Sequence, residues 1–440
     1  MFFDNSSANG GYSMEKQDIR YRTYVQILKE ELVPAMGCTE PIAISYCAAI
    51  ARKTLGCLPE RTLVEASGNI IKNVKSVVVP NTGGLRGIEA AAAAGIVAGN
   101  ADRVLEVIAS VTEEQKAAIR EYLDRKTIRV KALEAGEILD IVVHVYAGDH
   151  EAVVRIAGKH TNVALICLDG KVLKARSAKA EDSGGQSQAD RSLLNVEDIV
   201  DFANTADPED VRETLERQIA CNMAISQEGL RNDWGANIGK VLLSTYGDDV
   251  KIRARAAAAA GSDARMNGCE MPVIINSGSG NQGITASVPV ITYARELGAS
   301  QEKTLRALLV SNLITIHLKT GIGRLSAYCG AVSAGCGAGC GIAYLQGGDT
   351  RCIAHTLVNA LAIDSGIICD GAKASCAAKI ASAVDAGILG YEMFRRGQQF
   401  RGGDGILSKG VENTIRNVSR LGSVGMRETD EEIIQIMTQC

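Results

Sequence analysis

Cysteine is the residue on which the chemistry of this chain turns, and six of its thirteen cysteines fall between Gly321 and Ile380. Cys329, Cys336 and Cys340 lie among glycines and alanines, Cys352 follows, and Cys369-Asp370-Gly371-Ala372-Lys373-Ala374-Ser375-Cys376 closes the stretch. Small neighbours leave little bulk around the sulfurs, so a bulky inorganic group can approach the backbone. Thiolates are also the ligands that hold iron–sulfur clusters. The competing reading for any one of these residues is cysteine as a small buried hydrophobe. It is the weaker reading for Cys369 and Cys376 taken together, with Asp370, Gly371 and Lys373 between them. On one helix Cys329, Cys336 and Cys340 share a face, but Cys329 and Cys336 stand about 10 Å apart along the axis. That separation strains a single compact cluster. Either Cys329 alone, or one or both of Cys336 and Cys340, is left to join Cys369 and Cys376. If only one joins, three ligands leave a metal position open, as a Lewis-acid site requires.

Two other stretches carry chemistry. Gly37-Cys38-Thr39-Glu40-Pro41 is a turn ahead of the apolar helix 42–55, where the positive end of the helix dipole is expected to lower the Cys38 thiol pKa. A packing cysteine is the alternative there. The loop Asn276-Ser277-Gly278-Ser279-Gly280-Asn281-Gln282-Gly283 offers hydroxyl, amide and exposed backbone N–H donors before a helix, which suits a carboxylate or another anion. It lacks the Gly-Lys-Ser/Thr ending of a phosphate loop, and an ordinary turn is its alternative. His144, His150 and His160 lack metal-ligand spacing and read as solvent-facing strand histidines.

The elements that must position these residues are helical at both ends and mixed in the middle. Residues 1–16 read as a disordered lead-in, and 17–60 as N-terminal helices of a catalytic domain, stopped once at Pro34. Residues 61–179 read as an inserted α+β domain. Its strands are expected at 76–79, 127–132, 139–146, 152–156, 162–168 and 171–173, and its helices at 88–99 and near 113–124. Residues 180–195, rich in Ser, Gly, Gln and charge, read as a linker, and 196–440 as the C-terminal helical part of the catalytic domain. The fold class is α+β, a largely helical catalytic domain split in sequence around the insertion.

Composition narrows the function. A net charge of −4 gives no basic footprint for nucleic acid and no polybasic membrane patch. The run 327–345 is long enough to span a bilayer, but its Gly, Ala, Ser and Cys residues gain little from lipid and read as a buried central helix. An odd cysteine count, irregular spacing and an N-terminus without a signal-like apolar stretch point to reduced thiols in a cytoplasmic protein.

Together the motifs around Cys38, the 277–283 loop, Ala327-Tyr328-Cys329-Gly330 and Cys369–Cys376 resemble the L-cysteine desulfidase family, from Tyr24 to Met437. That family is related to the α-subunit domain of iron–sulfur L-serine dehydratases. The resemblance implies a [4Fe–4S] cluster on Cys329, Cys369 and Cys376, and conversion of L-cysteine and water to pyruvate, ammonia and hydrogen sulfide. It places the catalytic cysteine on Cys38. The six residues between Cys369 and Cys376, and Asp370-Gly371 where the dehydratases carry Asp-Pro, favour the desulfidase side. On that reading Ser277, Ser279, Asn281 and Gln282 hold the substrate carboxylate and Glu40 meets its ammonium, while Thr39 and Lys373 position it or stabilise charge. The alternatives are an iron–sulfur L-serine dehydratase and a non-catalytic iron–sulfur redox sensor. The expected partner is a small amino acid, the expected assembly a homodimer. The end at Cys440 is expected to fray, with a fold-back onto the open iron as the alternative.

Overall fold

The computed structural model describes residues 14–133, 137–176, 189–323 and 325–439. Eight strands are present among them: β1 (Pro34–Met36), β2 (Arg61–Ala66), β3 (Ile128–Ala132), β4 (Asp140–Ala147), β5 (His150–Ala157), β6 (Val163–Leu168), β7 (Lys171–Ala175) and β8 (Pro272–Ile274). The helices of the first half are α1 (Ile19–Glu31), α2 (Thr39–Leu55), α3 (Gly68–Val74), α4 (Gly87–Ala98), α5 (Glu113–Asp124), α6 (Val196–Thr205) and α7 (Arg212–Arg231). Those of the second are α8 (Ile238–Tyr246), α9 (Val250–Met266), α10 (Gly280–Glu296), α11 (Gln301–Ile322), α12 (Gly330–Leu345), α13 (Thr350–Asp364), α14 (Cys376–Arg395), α15 (Val411–Arg420) and α16 (Arg427–Gln439). The α+β class and the predominance of helix agree with the sequence reading. No helix among the described residues is long and apolar enough to cross a membrane.

Six strands form one sheet in the order β3-β2-β4-β5-β6-β7, with β2 and β3 parallel and every other pair antiparallel. The strand expected at 76–79 is replaced by one isolated bridge, Val78 to Arg86, while β2 occupies a segment not read as a strand. β2 alternates in burial over Thr62, Val64 and Ala66, the period-two pattern of a strand with one covered face.

The apolar core divides at the start of α2. Tyr21, Tyr24, Ile27 and Leu28 of α1 share a core with Phe202 of α6 and with α7 and α9 to α15. Ile42, Ile44, Cys47 and Ala48 of α2 pack instead with α4 and the inner face of β4 and β5. A boundary at residue 60 therefore does not follow the packing, because the apolar all-round α2 is buried by the sheet. The two supposed connectors are also anchored at their described ends. Met14 is buried, Lys16 pairs with Asp207, and Arg191 pairs with Glu30 and Glu31. The remainder of the lead-in and most of the linker lie outside the described residues, as does Cys440.

At the centre α12 is packed against α10, α11, α13 and α14 and is buried over nearly its whole length, as a run of small residues allows. Helix axes approach closely only where side chains are absent. A Cβ on Gly387 would lie 2.2 Å from the Gly335 carbonyl oxygen, and one on Gly335 would lie 2.4 Å from the Ala383 backbone. Gly387→Ala is expected to cost about 1–3 kcal/mol or more in chemical denaturation, because rigid backbone must move apart. Gly366→Ala, with nothing within 4 Å of its added carbon, is the control and should stay within about 0.5 kcal/mol. Equal effects at the two sites would contradict this packing.

Candidate active site

Two short backbone ribbons assemble the site. β1 pairs antiparallel with β8, Pro34 opposite Ile274 and Met36 opposite Pro272. Each strand runs directly into a loop singled out in the sequence, Gly37-Cys38 after β1 and Asn276–Gly283 after β8. Thr39 Oγ1 adds a cross-link to the Gly278 carbonyl oxygen at 3.2 Å. The second ribbon joins the other two loops: Cys329 N–H donates to Ile367 O at 3.1 Å, Cys369 N–H donates to Ala327 O at 2.6 Å, and Tyr328 bridges Ile368. Residues remote in sequence are thereby fixed side by side. Glycine is required twice for this approach. Gly37 has φ +59° with Pro80 2.1 Å from where a Cβ would sit, and Gly371 has φ +91° with the Lys72 carbonyl oxygen at 2.2 Å.

These loops enclose a cavity of about 110 Å³ at the seam between the two cores. Of the residues expected to act, Cys38, Thr39, Glu40, Ser279, Asn281, Gln282, Cys329, Cys369 and Cys376 all line it. Ser277 does not. With φ +50° it turns its hydroxyl onto Asn276 Oδ1 at 2.8 Å and faces a neighbouring cleft with Glu31 and Arg191. Lys373 does not line the cavity either, since its ammonium pairs with Asp370 at 2.5 Å, a carboxylate that Lys379 also holds. Cys336 and Cys340 are buried in the body of α12, away from the cavity lining.

Four helices direct their N-termini at this space. Cys38 is the N-cap of α2, Ser279 of α10 and Cys329 of α12, while Cys376 opens α14, and none of the four N-cap side chains bonds the first turn. Elsewhere Asp18, Thr112, Asn195, Asp249, Ser300 and Asp349 cap their own helices, while α3, α4, α7, α8 and α15 also lack a side-chain cap. Uncapped first-turn N–H groups and the dipoles behind them make a cavity that favours anions.

Side chains not foreseen in the sequence add to that field. Arg265 at the end of α9, Lys72 of α3 and Lys319 of α11 line the cavity, as do Asn69, Asn73 and Tyr328. Lys72 is buried in an ion pair with Asp430 of α16. In sequence nothing set Arg265 and Lys72 apart from the other polar residues of their helices. His160 is buried rather than solvent-facing, since its place between β5 and β6 turns it inward toward Glu40.

The electrostatics of Cys38 run opposite to the sequence expectation. Its Sγ–H donates to Glu40 Oε2 at 3.0 Å, and burial foremost, then the Glu40 charge, push the thiol well above its ordinary range. Those effects exceed the helix dipole, so Cys38 is a thiol at neutral pH. Burial also works to raise Glu40, but the charge of His160, the Cys38 donor and Arg265 outweigh it and hold that carboxyl below its usual range. Asn73 Nδ2 donates to Glu40 at 3.1 Å, and Thr39 Oγ1, at 3.1 Å, shares its one proton between Glu40 and the Gly278 carbonyl, so Glu40 is engaged with protein donors rather than open to an ammonium. Burial, with Cys369 close by, raises the Cys329 and Cys376 thiols. Among the described residues no group of three or more His, Cys, Asp or Glu converges tightly enough for a single metal ion.

Comparison with known proteins agrees with a whole-chain relationship. Residues 102–435 match the family described as serine dehydratase alpha chain. A UPF0597 protein of Desulfitobacterium hafniense is 61% identical over 428 residues, covering 97% of this chain and 99% of that one. Similar proteins of Lachnoclostridium phytofermentans and Treponema denticola are 53% and 48% identical, each over 95% of this chain and 99% and 98% of their own. The chain belongs to the serine dehydratase alpha chain family.

Proposed function

We propose that this protein is a lyase that eliminates the β-substituent of a small L-amino acid, with L-cysteine as substrate and pyruvate, ammonia and hydrogen sulfide as products. The observation that carries the reading is the shared cavity, where Cys329, Cys369 and Cys376 face Cys38 and the donor-rich start of α10. L-Serine is the second reading, favoured by the name of the matching family.

The three cysteines fit a [4Fe–4S] cluster better than a single ion. One ion draws its sulfurs onto a sphere of about 2.3 Å radius, whereas cysteines on different irons of a cluster stand further apart. Gly330, Ala331, Gly371 and Ala372 beside them leave space, and four helix N-termini favour the net negative charge of a thiolate-bound cluster. When bound, such a cluster supplies a Lewis acid that stabilises a leaving thiolate or hydroxide.

The chain's own residues do the rest. Ser279, Asn281, Gln282 and the first amides of α10 hold the carboxylate end. Cys38 and Glu40 act as one base: the Cys38 proton passes to Glu40, and the thiolate takes the α-proton of the substrate. Burial and the Glu40 charge make the free thiolate scarce, so it forms only transiently, while its proton sits on Glu40. Loss of the β-group leaves aminoacrylate, which water converts to pyruvate and ammonia.

Cys369→Ala or Cys376→Ala is expected to abolish iron binding and turnover together in anaerobically purified protein, while Cys336→Ala keeps most of both. Iron retained after loss of Cys369 or Cys376 would refute the ligand set. Cys38→Ser should keep the iron but slow turnover by about 10²–10⁴-fold, the scale of a lost general base. A near-normal rate would remove Cys38 from the chemistry.

The Cys38–Glu40 coupling has its own test. Because the Glu40 charge helps to raise the Cys38 thiol, Glu40→Gln should lower that pKa. Alkylation of Cys38 by iodoacetamide, followed by mass spectrometry against pH, should then begin at lower pH than in the parent protein. An unchanged or upward-shifted profile would separate the two residues.

A further inference from the structure

Arg265 lines the cavity and, among the described residues, forms no ion pair with a carboxylate. Its side chain is 3% exposed, at the last turn of α9. One guanidinium nitrogen donates to Asn281 Oδ1 at 3.1 Å, and Nε finds no acceptor. The group lies against Gly280, the first residue of α10, where an added Cβ would fall 2.3 Å from Nε and 2.7 Å from Cζ. Gln282, also in the first turn of α10, has a buried Oε1 without a partner, and its amide rests on Gly330.

Two other charges of the cavity are engaged. Lys72 is paired with Asp430, and both oxygens of Glu40 accept from Cys38, Thr39 and Asn73. A buried guanidinium with an unsatisfied N–H is costly unless an anion completes it. Its planar fork matches a carboxylate, with two parallel N–H···O bonds, better than it matches a spherical or tetrahedral anion. The uncapped amides of α10 point into the same space and add donors to the same ligand.

We infer that Arg265 is the carboxylate-recognition residue of this site, gripping the free α-carboxylate of the amino acid and excluding amides and esters. The assignment deepens the proposed lyase reading and rests on it for the identity of the ligand as an amino acid. Gly280 is part of the device, because any side chain there would occupy the place of the guanidinium. Asn281 orients the fork, and Gln282 closes the far side.

The test is binding rather than turnover, so that it stands apart from the chemistry. L-Alanine, which has no leaving group, and L-alaninamide are titrated calorimetrically into anaerobically reconstituted protein, with iron content and thermal midpoint measured alongside. The parent protein is expected to bind L-alanine at least about tenfold more tightly than L-alaninamide, the range of one charged hydrogen-bonded contact. Arg265→Gln should lose about 10–100-fold in L-alanine affinity at unchanged iron content, with Arg265→Lys intermediate. Should Arg265→Gln fail to fold, the acid–amide comparison in the parent and the Arg265→Lys variant decide the matter. Equal binding of acid and amide, no binding of either, or full affinity in a folded Arg265 variant would overturn the assignment. Arg265-dependent carboxylate binding in a protein that eliminates no amino acid would uphold it and sink the lyase reading instead.

Discussion

Everything about this site depends on two backbone ribbons only a few residues long. The β1–β8 pair fixes the Cys38 turn beside the 276–283 loop, and the Ala327–Cys329 and Ile367–Cys369 pairing sets two of the three cysteines side by side. Main-chain hydrogen bonds of this kind are indifferent to side chains, so the loops they join are free to carry glycine, cysteine and short polar residues. That freedom explains the composition of the motifs. Bulk is excluded where backbones meet, and rigidity comes from the pairing instead of from packed side chains.

The ribbons also decide the electrostatics, since each releases its chain into a helix aimed at the cavity. Four uncapped N-termini and the Arg265 cation create a field that one buried carboxylate, Glu40, only partly offsets. Such a place favours anions, the property that the proposed thiolate-bound cluster and a substrate carboxylate share. Within the same field the Cys38 proton stays on sulfur, because the nearest strong charge is negative and the group is dry. The seam position matters too. Arg265 belongs to the helical bundle and Glu40 to the helix buried by the sheet, so the site is complete only when the two cores are closed together.

Much of this was legible in the sequence because the informative residues are local. Cysteine beside glycine, and serine and asparagine before a helix, announce their environment within a few positions. What failed needed contacts between distant segments. α2 looked like a partner of the C-terminal helices because an apolar all-round helix does not say what buries it, and the sheet does. Val77 and Val79 have strand-like composition but are buried without a ladder partner, while Arg61–Ala66 gains its strand from pairing with β3 and β4. The Cys38 pKa was misjudged because the fold buries the sulfur and, second to that, brings the Glu40 carboxylate onto it from two residues away. Ser277 was misplaced by a left-handed backbone angle that no composition reveals. Arg265 was overlooked and His160 misread because each is one polar residue in an unremarkable segment until the fold turns it inward.

The central claim is that one cavity joins Cys329, Cys369 and Cys376 on one side to Cys38 and Arg265 on the other, as a site for iron and an amino acid. Its most direct test is an anomalous difference map at the iron edge, from crystals of anaerobically reconstituted, catalytically active protein. The account predicts a single iron feature bounded by those three cysteines and open toward Cys38. Iron bound instead among Cys336, Cys340 and Cys352, or an active crystal with no iron at the seam, would contradict it.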